Sequence, residues 1–283
     1  MSNVVELFGK ATDKAGVDWQ QVIKKQICVF TNKRCYKVRK SDPNIAIGTC
    51  TVLYGKQSEP VIICPDRLIE RGQVFTDCFH LLTTHEPGNE LHIVPEVSIP
   101  GGSVDYFLVS ARADKVKDFV GIELQTLDTT GTVWPERQRL LKELGIPRAD
   151  DAETSIKSYG MNWKMTAKTV LMQMYHKIHT FEHIHKKLVL VIQDKLLTYM
   201  TKEFKFDHLN SPVMLGDSMH LHTYSIERTG MGDFRFSMAL RLSTDADGIG
   251  TCLGLQARAH IDLEQIITAL QSRISTETLF TPV

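Results

Sequence analysis

Three side chains within Gly101–Asp128, GGSVDYFLVSARADKVKDFVGIELQTLD, are of the types that could hold a hard cation together: Asp105, Glu123 and Gln125. The segment reads as two strands joined by a charged loop, with Asp105 opening the first and Glu123-Leu124-Gln125 in the second. Alternate side chains of a strand share a face, so Glu123 and Gln125 project together. If the strands pair as neighbours, Asp105 reaches that face from beside them. Two carboxylates and an amide at one sheet edge suit Mg²⁺, which would make water more acidic and stabilise charge on a phosphate. The bland reading of the same residues is a solvated hairpin. Glu96, in VPEVSIPGG, adds a further carboxylate if it ends the preceding strand, and Glu90 is the other candidate for that role.

The cysteines are unevenly spread. Of 6 in the chain, Cys28, Cys35, Cys50 and Cys64 lie in the first quarter, in CVFTNKRC, PNIAIGTC and VIICPDR. In a cytosolic setting clustered thiols point to a metal more than to disulfides, and four thiolates suit tetrahedral zinc or iron. No pair has the short spacing of common zinc knuckles, so buried free thiols are the competing reading. Cys78 and Cys252 stand apart and read as structural. Around the first two of these cysteines runs a basic stretch free of acidic residues, Lys24, Lys25, Lys33, Arg34, Lys37, Arg39 and Lys40. It is either a solvated face or a phosphate-binding strip.

Taken in order, ICVFTNKRCYKVRK, IGTC, VIICPDR, VPEVSIPGGSVDYF, GIELQTLDTTG and GMNWKMTAKTVLMQMYHK resemble the NotI family of restriction endonucleases, over about Ile27 to Lys187. The resemblance implies a PD-(D/E)XK nuclease core and a separate four-cysteine fold in which the family's ion is iron. Cys28, Cys35, Cys50 and Cys64 match the family's metal ligands, and Asp105, Glu123 and Gln125 its catalytic trio. Gln125 stands where PD-(D/E)XK motifs usually carry lysine; an amide can orient water but adds no charge. Lys164 and Lys168, four apart on one helix face, are candidates to supply that charge. The chain is shorter than the family's namesake, which leaves its base-recognition residues unassigned.

These residues need a scaffold to position them. Leu91–Val97, Val104–Ser110 and Val120–Leu127 read as strands, with IPGG as a hairpin signal between the first two. Gly72–Leu82 is a short helix or strand, and Trp134–Leu144 a helix ending at Gly145-Ile146-Pro147. Asn162–His185 carries an apolar stripe at Trp163, Val170, Leu171, Met174, Ile178, Phe181 and Ile184, and Leu188–Ile192 is a buried strand. Farther on, HLHTYSIERTG, FRFSMALRLSTDADG and GLQARAHI resemble strands, with a last helix over Asp262–Ile274. The helix containing His179-Thr180-Phe181-Glu182-His183 spells H-x-x-E-H, an inverted zinc-protease motif. It lacks an identifiable third ligand and is set aside.

The expected fold is a mixed α/β, PD-(D/E)XK-like core over 76–200. An N-terminal four-cysteine metal-binding subdomain occupies 1–75, and a β-rich part 201–283 belongs to the core or to DNA recognition. The 283 residues suffice for this, and the formal net charge of +0 leaves DNA affinity to local patches such as Lys33, Arg34, Lys37 and Arg39. No apolar run approaches a membrane span and the polar start is no signal peptide, so the cytoplasm is the expected location. The expected function is a type II restriction endonuclease making Mg²⁺-dependent double-strand cuts in DNA, by resemblance at a GC-rich palindrome. It would act as a homodimer, because two scissile bonds ask for two related active sites. The alternative is a non-catalytic DNA-binding module built on the cysteines, which would need those thiols and the basic stretch but not Asp105.

Overall fold

The computed structural model describes residues 1–146, 159–230, 232–255, 267–268 and 271–272. The N-terminal part runs β1 (Val4–Leu7), β2 (Lys10–Ala11), α1 (Trp19–Lys25), β3 (Val38–Arg39), β4 (Asp42–Ala46), β5 (Thr49–Tyr54) and β6 (Glu59–Ile62). A 3-10 segment, Pro65–Gly72, leads into α2 (Gln73–Cys78). There follow β7 (Glu90–Ile99), β8 (Gly102–Arg112), β9 (Lys115–Gln125), β10 (Thr129–Thr130), α3 (Trp134–Glu143), β11 (Gly160–Met161) and α4 (Trp163–His183). The described elements close with β12 (Lys187–Gln193), α5 (Asp194–Glu203), β13 (Met219–Arg228), β14 (Phe234–Thr244) and α6 (Ala246–Cys252). The class is mixed α/β. Among the described residues no helix is long and apolar enough to cross a membrane.

A six-stranded mixed sheet in the order β14-β13-β12-β9-β8-β7 organises the chain. Strand β12 reads KLVLVIQ, and a strand apolar at successive positions is stable only with both faces covered. It is the parallel neighbour of β9 on one side and of β13 on the other. Its pleat divides its side chains between two cores. Leu188, Leu190 and Ile192 cluster with Leu171, Met174 and Ile178 of α4, whereas Val189 and Val191 cluster with Val74 and Phe75 of α2. Strands β7, β8 and β9 form an antiparallel meander at the other end.

The helix α4 lies close on this meander because glycines leave room for it. A Cβ at Gly121 would stand 2.4 Å from Phe181 Cζ, and one at Gly101 (φ +94°) would stand 2.8 Å from the His176 carbonyl oxygen. The N-terminal strands form a second sheet, β2-β1-β5-β6. It is tied to the first by Gln193 at the end of β12, whose amide accepts from Ile62 N–H at 2.9 Å and donates to Pro60 O at 2.9 Å.

The strands and helices expected from pattern are present, with several boundaries corrected. Gly72–Leu82 is helical, as α2 and a short 3-10 turn, Phe79–Leu81. Strand β8 starts at Gly102, so Asp105 lies inside it rather than opening it, and β9 stops at Gln125, short of Leu127. The strand read through FRFSMALRLSTDADG ends at Thr244, where Asp245 accepts from Gly248 N–H at 2.8 Å and caps α6. Ile184 leaves the apolar stripe: it is the residue after α4 and is 42% exposed. Strands β13 and β14 extend the same sheet as β9 and β12. Pro147, most of GLQARAHI and most of the helix read over 262–274 lie outside the described residues.

Candidate active site

Antiparallel pairing sets Phe107 opposite Gly121 and Tyr106 opposite Ile122. One further step of that register brings Asp105 beside Glu123, and Leu124 N–H donates to Asp105 Oδ2 at 2.8 Å. On β9, Gly121 and Glu123 share the face toward α4, by the two-residue period of a strand. Gly121 meets Phe181 there, and Lys177 Nζ donates to Glu123 Oε1 at 2.6 Å. Both side chains of that pair are buried, with 8% and 9% of their surface exposed. Gln125 is half-buried, and its amide nitrogen donates to Thr126 O at 2.6 Å.

The carboxylates are held against their own ionisation. Burial pushes Glu123 up to about 7; the Lys177 hydrogen bond opposes this and the Asp105 charge adds to it. Burial likewise raises Asp105, against the Leu124 N–H and Lys177, with Glu96 contributing in the same direction as burial. Two desolvated carboxyl groups side by side, with the Asp105 charge raising Glu123, form a site whose ionised state favours a nearby cation. The cation present at Glu123 is the Lys177 ammonium. Asp105 and Glu123 are the two carboxylates that would hold a divalent ion, and among the described residues no third His, Cys, Asp or Glu is grouped with them to complete its ligand set.

Glu96 lies on β7 between Pro95, paired with Tyr106, and Val97, paired with Val104, which sets it next to Asp105. It is exposed, with φ +51°. A non-glycine residue in left-handed backbone inside a strand is held there by its surroundings at a cost of about 1–3 kcal/mol. Glu90, at the far end of β7, pairs with Ala111 and is remote from Asp105 along the strand.

The four N-terminal cysteines are all buried and come together from three places. Cys28 and Cys35 flank a tight loop in which Cys28 N–H donates to Lys33 O at 2.8 Å and Asn32 N–H to Cys28 O at 2.9 Å. Cys50 lies on β5, and Ile63 N–H donates to its carbonyl at 2.9 Å, which brings Cys64 alongside. The Cys50 thiol hydrogen-bonds to Cys64; this lowers Cys64 to about 7, with the Lys37 charge helping, and raises Cys50. Burial raises Cys28 and Cys35. The donor set is chemically that of a thiolate metal site. Among the described residues, no three or more His, Cys, Asp or Glu side chains are grouped so as to hold a metal ion; the thiols in direct contact are those of Cys50 and Cys64. The Tyr36 phenol is raised first by desolvation and then by the charges of Cys64, Asp66, Cys35 and Asp105.

A cavity of about 970 Å³ opens between β3 and the segment that follows β9, lined in part by Lys37, Arg39, Lys40, Asp128 and Trp134. The Arg39 guanidinium lies 4.6 Å from the Trp134 ring centre. The basic residues named from sequence divide by what they already bond. Lys33 is exposed; Arg34 donates to Asn44 O at 2.6 Å, and Lys37 to Ile63 O at 2.6 Å.

Lys164 and Lys168 are exposed on α4. The lysine of that helix that meets the carboxylates is Lys177, three turns nearer its C-terminus, which the sequence reading missed. A signal for it existed: Lys177 falls three residues after Met174 and four before Phe181, inside the apolar stripe, where an ammonium requires a partner. The H-x-x-E-H residues do not converge on a metal. His179 and His183 are exposed, and Glu182 accepts from the Ser218 hydroxyl at 2.7 Å and Ala246 N–H at 2.8 Å.

No family model matches the chain, and no curated protein matches it.

Proposed function

We propose that the chain is a Mg²⁺-dependent endodeoxyribonuclease of the restriction type, with Asp105 and Glu123 as its metal-holding carboxylates. The observation that carries this reading is their juxtaposition on neighbouring strands β8 and β9, desolvated, with the Lys177 ammonium 2.6 Å from Glu123. The order of the sheet supports the finer reading as a PD-(D/E)XK core: an antiparallel meander, a long helix across its face, and a buried strand parallel to β9. Further support comes from the adjoining basic cavity, where Lys37, Arg39 and Lys40 offer positive charge to a phosphate backbone. Contacts of that kind position a duplex without specifying its sequence. The four cysteines would hold iron or zinc and so brace the loops that carry these basic residues. A homodimer would set two such sites on the two strands of a palindrome.

When bound, Mg²⁺ supplies Lewis-acid charge that makes water a stronger acid and offsets charge on the phosphate. Asp105 and Glu123 would hold it, joined by the Leu124 carbonyl. Gln125 would orient the attacking water by hydrogen bonding. The water oxygen forms a bond to phosphorus as one P–O ester bond breaks; its proton passes to solvent, and the leaving alkoxide takes a proton from solvent.

The test is digestion of a fully sequenced DNA with Mg²⁺, with EDTA and Asp105→Asn as controls, followed by sequencing of the ends. Discrete Mg²⁺-dependent fragments that vanish in the variant are expected, and their shared ends give site and stagger. DNA binding without cleavage under any of these conditions would replace the nuclease with a binding module centred on the cysteines.

A further inference from the structure

Lys177 is a feature of the carboxylate edge that neither the motif nor its spacing accounts for. Its side chain is buried at a position that otherwise belongs to the apolar face of α4. An aliphatic side chain would pack there without the desolvation penalty that a buried ammonium incurs. The stem is guided by the β7–β8 turn. A Cβ at Gly102 would lie 3.2 Å from Lys177 Cε, and Thr180 Oγ1 donates to Pro100 O at 2.7 Å, fastening the turn to the helix. The ammonium is thereby delivered to Glu123, close enough to Asp105 for its charge to act there. Gln125, at the position a motif lysine would fill, spends its amide nitrogen on Thr126 O and brings no charge.

We propose that Lys177 supplies, from helix α4, the cation that Gln125 cannot, and that without a divalent ion it acts as that ion's placeholder on Glu123. This inference rests on the nuclease reading. Lys177 Nζ releases Glu123 when the carboxylate turns to a divalent cation, and the freed ammonium then faces the scissile phosphate and the attacking water. It contributes positive charge and donates hydrogen bonds; no proton need leave it. Two consequences pull in opposite directions, and a merely structural ion pair would not produce both. Without the ammonium, the carboxylates lose a competitor and bind divalent ions more tightly. The same change removes a charge from the reacting phosphate and slows the chemical step.

The experiment measures both on the full-length chain: Lys177→Met, Lys177→Gln and Lys177→Arg beside wild type. Mg²⁺ and Ca²⁺ binding would be followed by calorimetry, and single-turnover cleavage of a DNA that wild type cuts would be followed at saturating Mg²⁺. Urea melts establish that each variant is folded. Met and Gln are expected to bind Mg²⁺ about tenfold or more tighter and to cleave roughly 10²–10³-fold more slowly, the usual loss on removing one preorganised donor. Arg keeps the charge and, with it, the fold should Met fail; it is expected to bind Mg²⁺ as wild type does and to recover part of the rate. Wild-type cleavage rates at saturating Mg²⁺ in Lys177→Gln, or in Lys177→Met, would overturn the assignment of Lys177 and leave the nuclease standing. A wild-type chain that binds Mg²⁺ but cuts no DNA would overturn the nuclease reading itself, and the role of Lys177 in cleavage with it.

Discussion

Arg67→Met tests how the cysteine-bearing region is held to the central sheet. Arg67 follows Cys64 by three residues and is fully buried. Its Nε lies 2.8 Å from Glu6 Oε2 on β1, and its NH1 lies 2.8 Å from Glu70 Oε2. The guanidinium also sits 5.0 Å from the centre of the Phe30 ring, in the Cys28–Cys35 loop, and 5.7 Å from that of Phe236 on β14. One side chain therefore joins β1, the cysteine loop and an outer strand of the six-stranded sheet. Methionine preserves much of the stem and removes the charge. Glu6, only 3% exposed, would keep the Thr51 hydroxyl as a donor and lose its counter-ion. Stranding one member of a buried pair costs about 3–5 kcal/mol. The two cation–π contacts, each worth about 2 kcal/mol when desolvated, push the loss toward or past the upper end of that range. At about 2–4 °C per kcal/mol for a chain of comparable size, the melting temperature should fall by about 6–20 °C. Urea unfolding followed by circular dichroism, with Glu6→Gln and the double variant completing a cycle, gives the coupling directly. The double variant strands no fully buried charge, since Glu70 is part-exposed, and should recover a large part of the loss. A loss below about 1 kcal/mol in Arg67→Met, or a double variant as unstable as the sum of the singles, would refute the reasoning, since burial of an uncompensated carboxylate predicts neither.

Gly101→Ala should destabilise the chain by about 1–3 kcal/mol, because it combines left-handed backbone with a Cβ pressed on the His176 carbonyl. Thermal melts check this, and hydrogen exchange should rise at the β7–β8 turn before it rises in β12. Asp118 is buried and bonds Lys186 at 2.7 Å and Thr84 N–H at 2.8 Å. Burial raises its pKa, but these partners outweigh burial and the net shift is downward. A folded pKa below the unfolded one stabilises above the unfolded value and is lost as pH falls through the folded value. Asp118→Asn should therefore cost about 1–3 kcal/mol at neutral pH and progressively less below about pH 4; a cost independent of pH, in urea melts at pH 7 and 3.5, would count against the pairing. Elemental analysis of the purified chain should find about one iron or zinc per chain, as four thiolates bind one tetrahedral ion. Cys64→Ser should lose it, and full metal content in that variant would remove Cys64 from the ligand set.

Periodicity made much of the scaffold legible. The unbroken apolar run of β12 signals a strand covered on both faces, because no alternation is needed where neither face meets water. The stripe of α4 and the IPGG turn are equally local, since they depend on the geometry of a single element. The alternation of Glu123 and Gln125 likewise follows from the pleat of one strand. Boundaries were less legible where a cap decides them: Asp245 turns the chain into α6 by accepting from Gly248, and a strand pattern carries no sign of that bond.

The partner of Glu123 was a tertiary decision. Lys164, Lys168 and Lys177 are alike as residue types on one helix. Only the packing of Phe181 against Gly121, and of the β7–β8 turn against His176 and Lys177, determines which of them meets β9. The same holds for the cysteines: Cys64, just past β6, is brought to Cys50 on β5 by the pairing of β5 with β6. The sequence by itself therefore determined the elements and the face on which Glu123 and Gln125 stand, because those properties repeat along a single strand or helix. The tertiary structure alone decided that Asp105 lies against Glu123 and that Lys177 answers them, because contacts between elements distant in sequence are selected by packing and by the cost of leaving a buried charge unpaired.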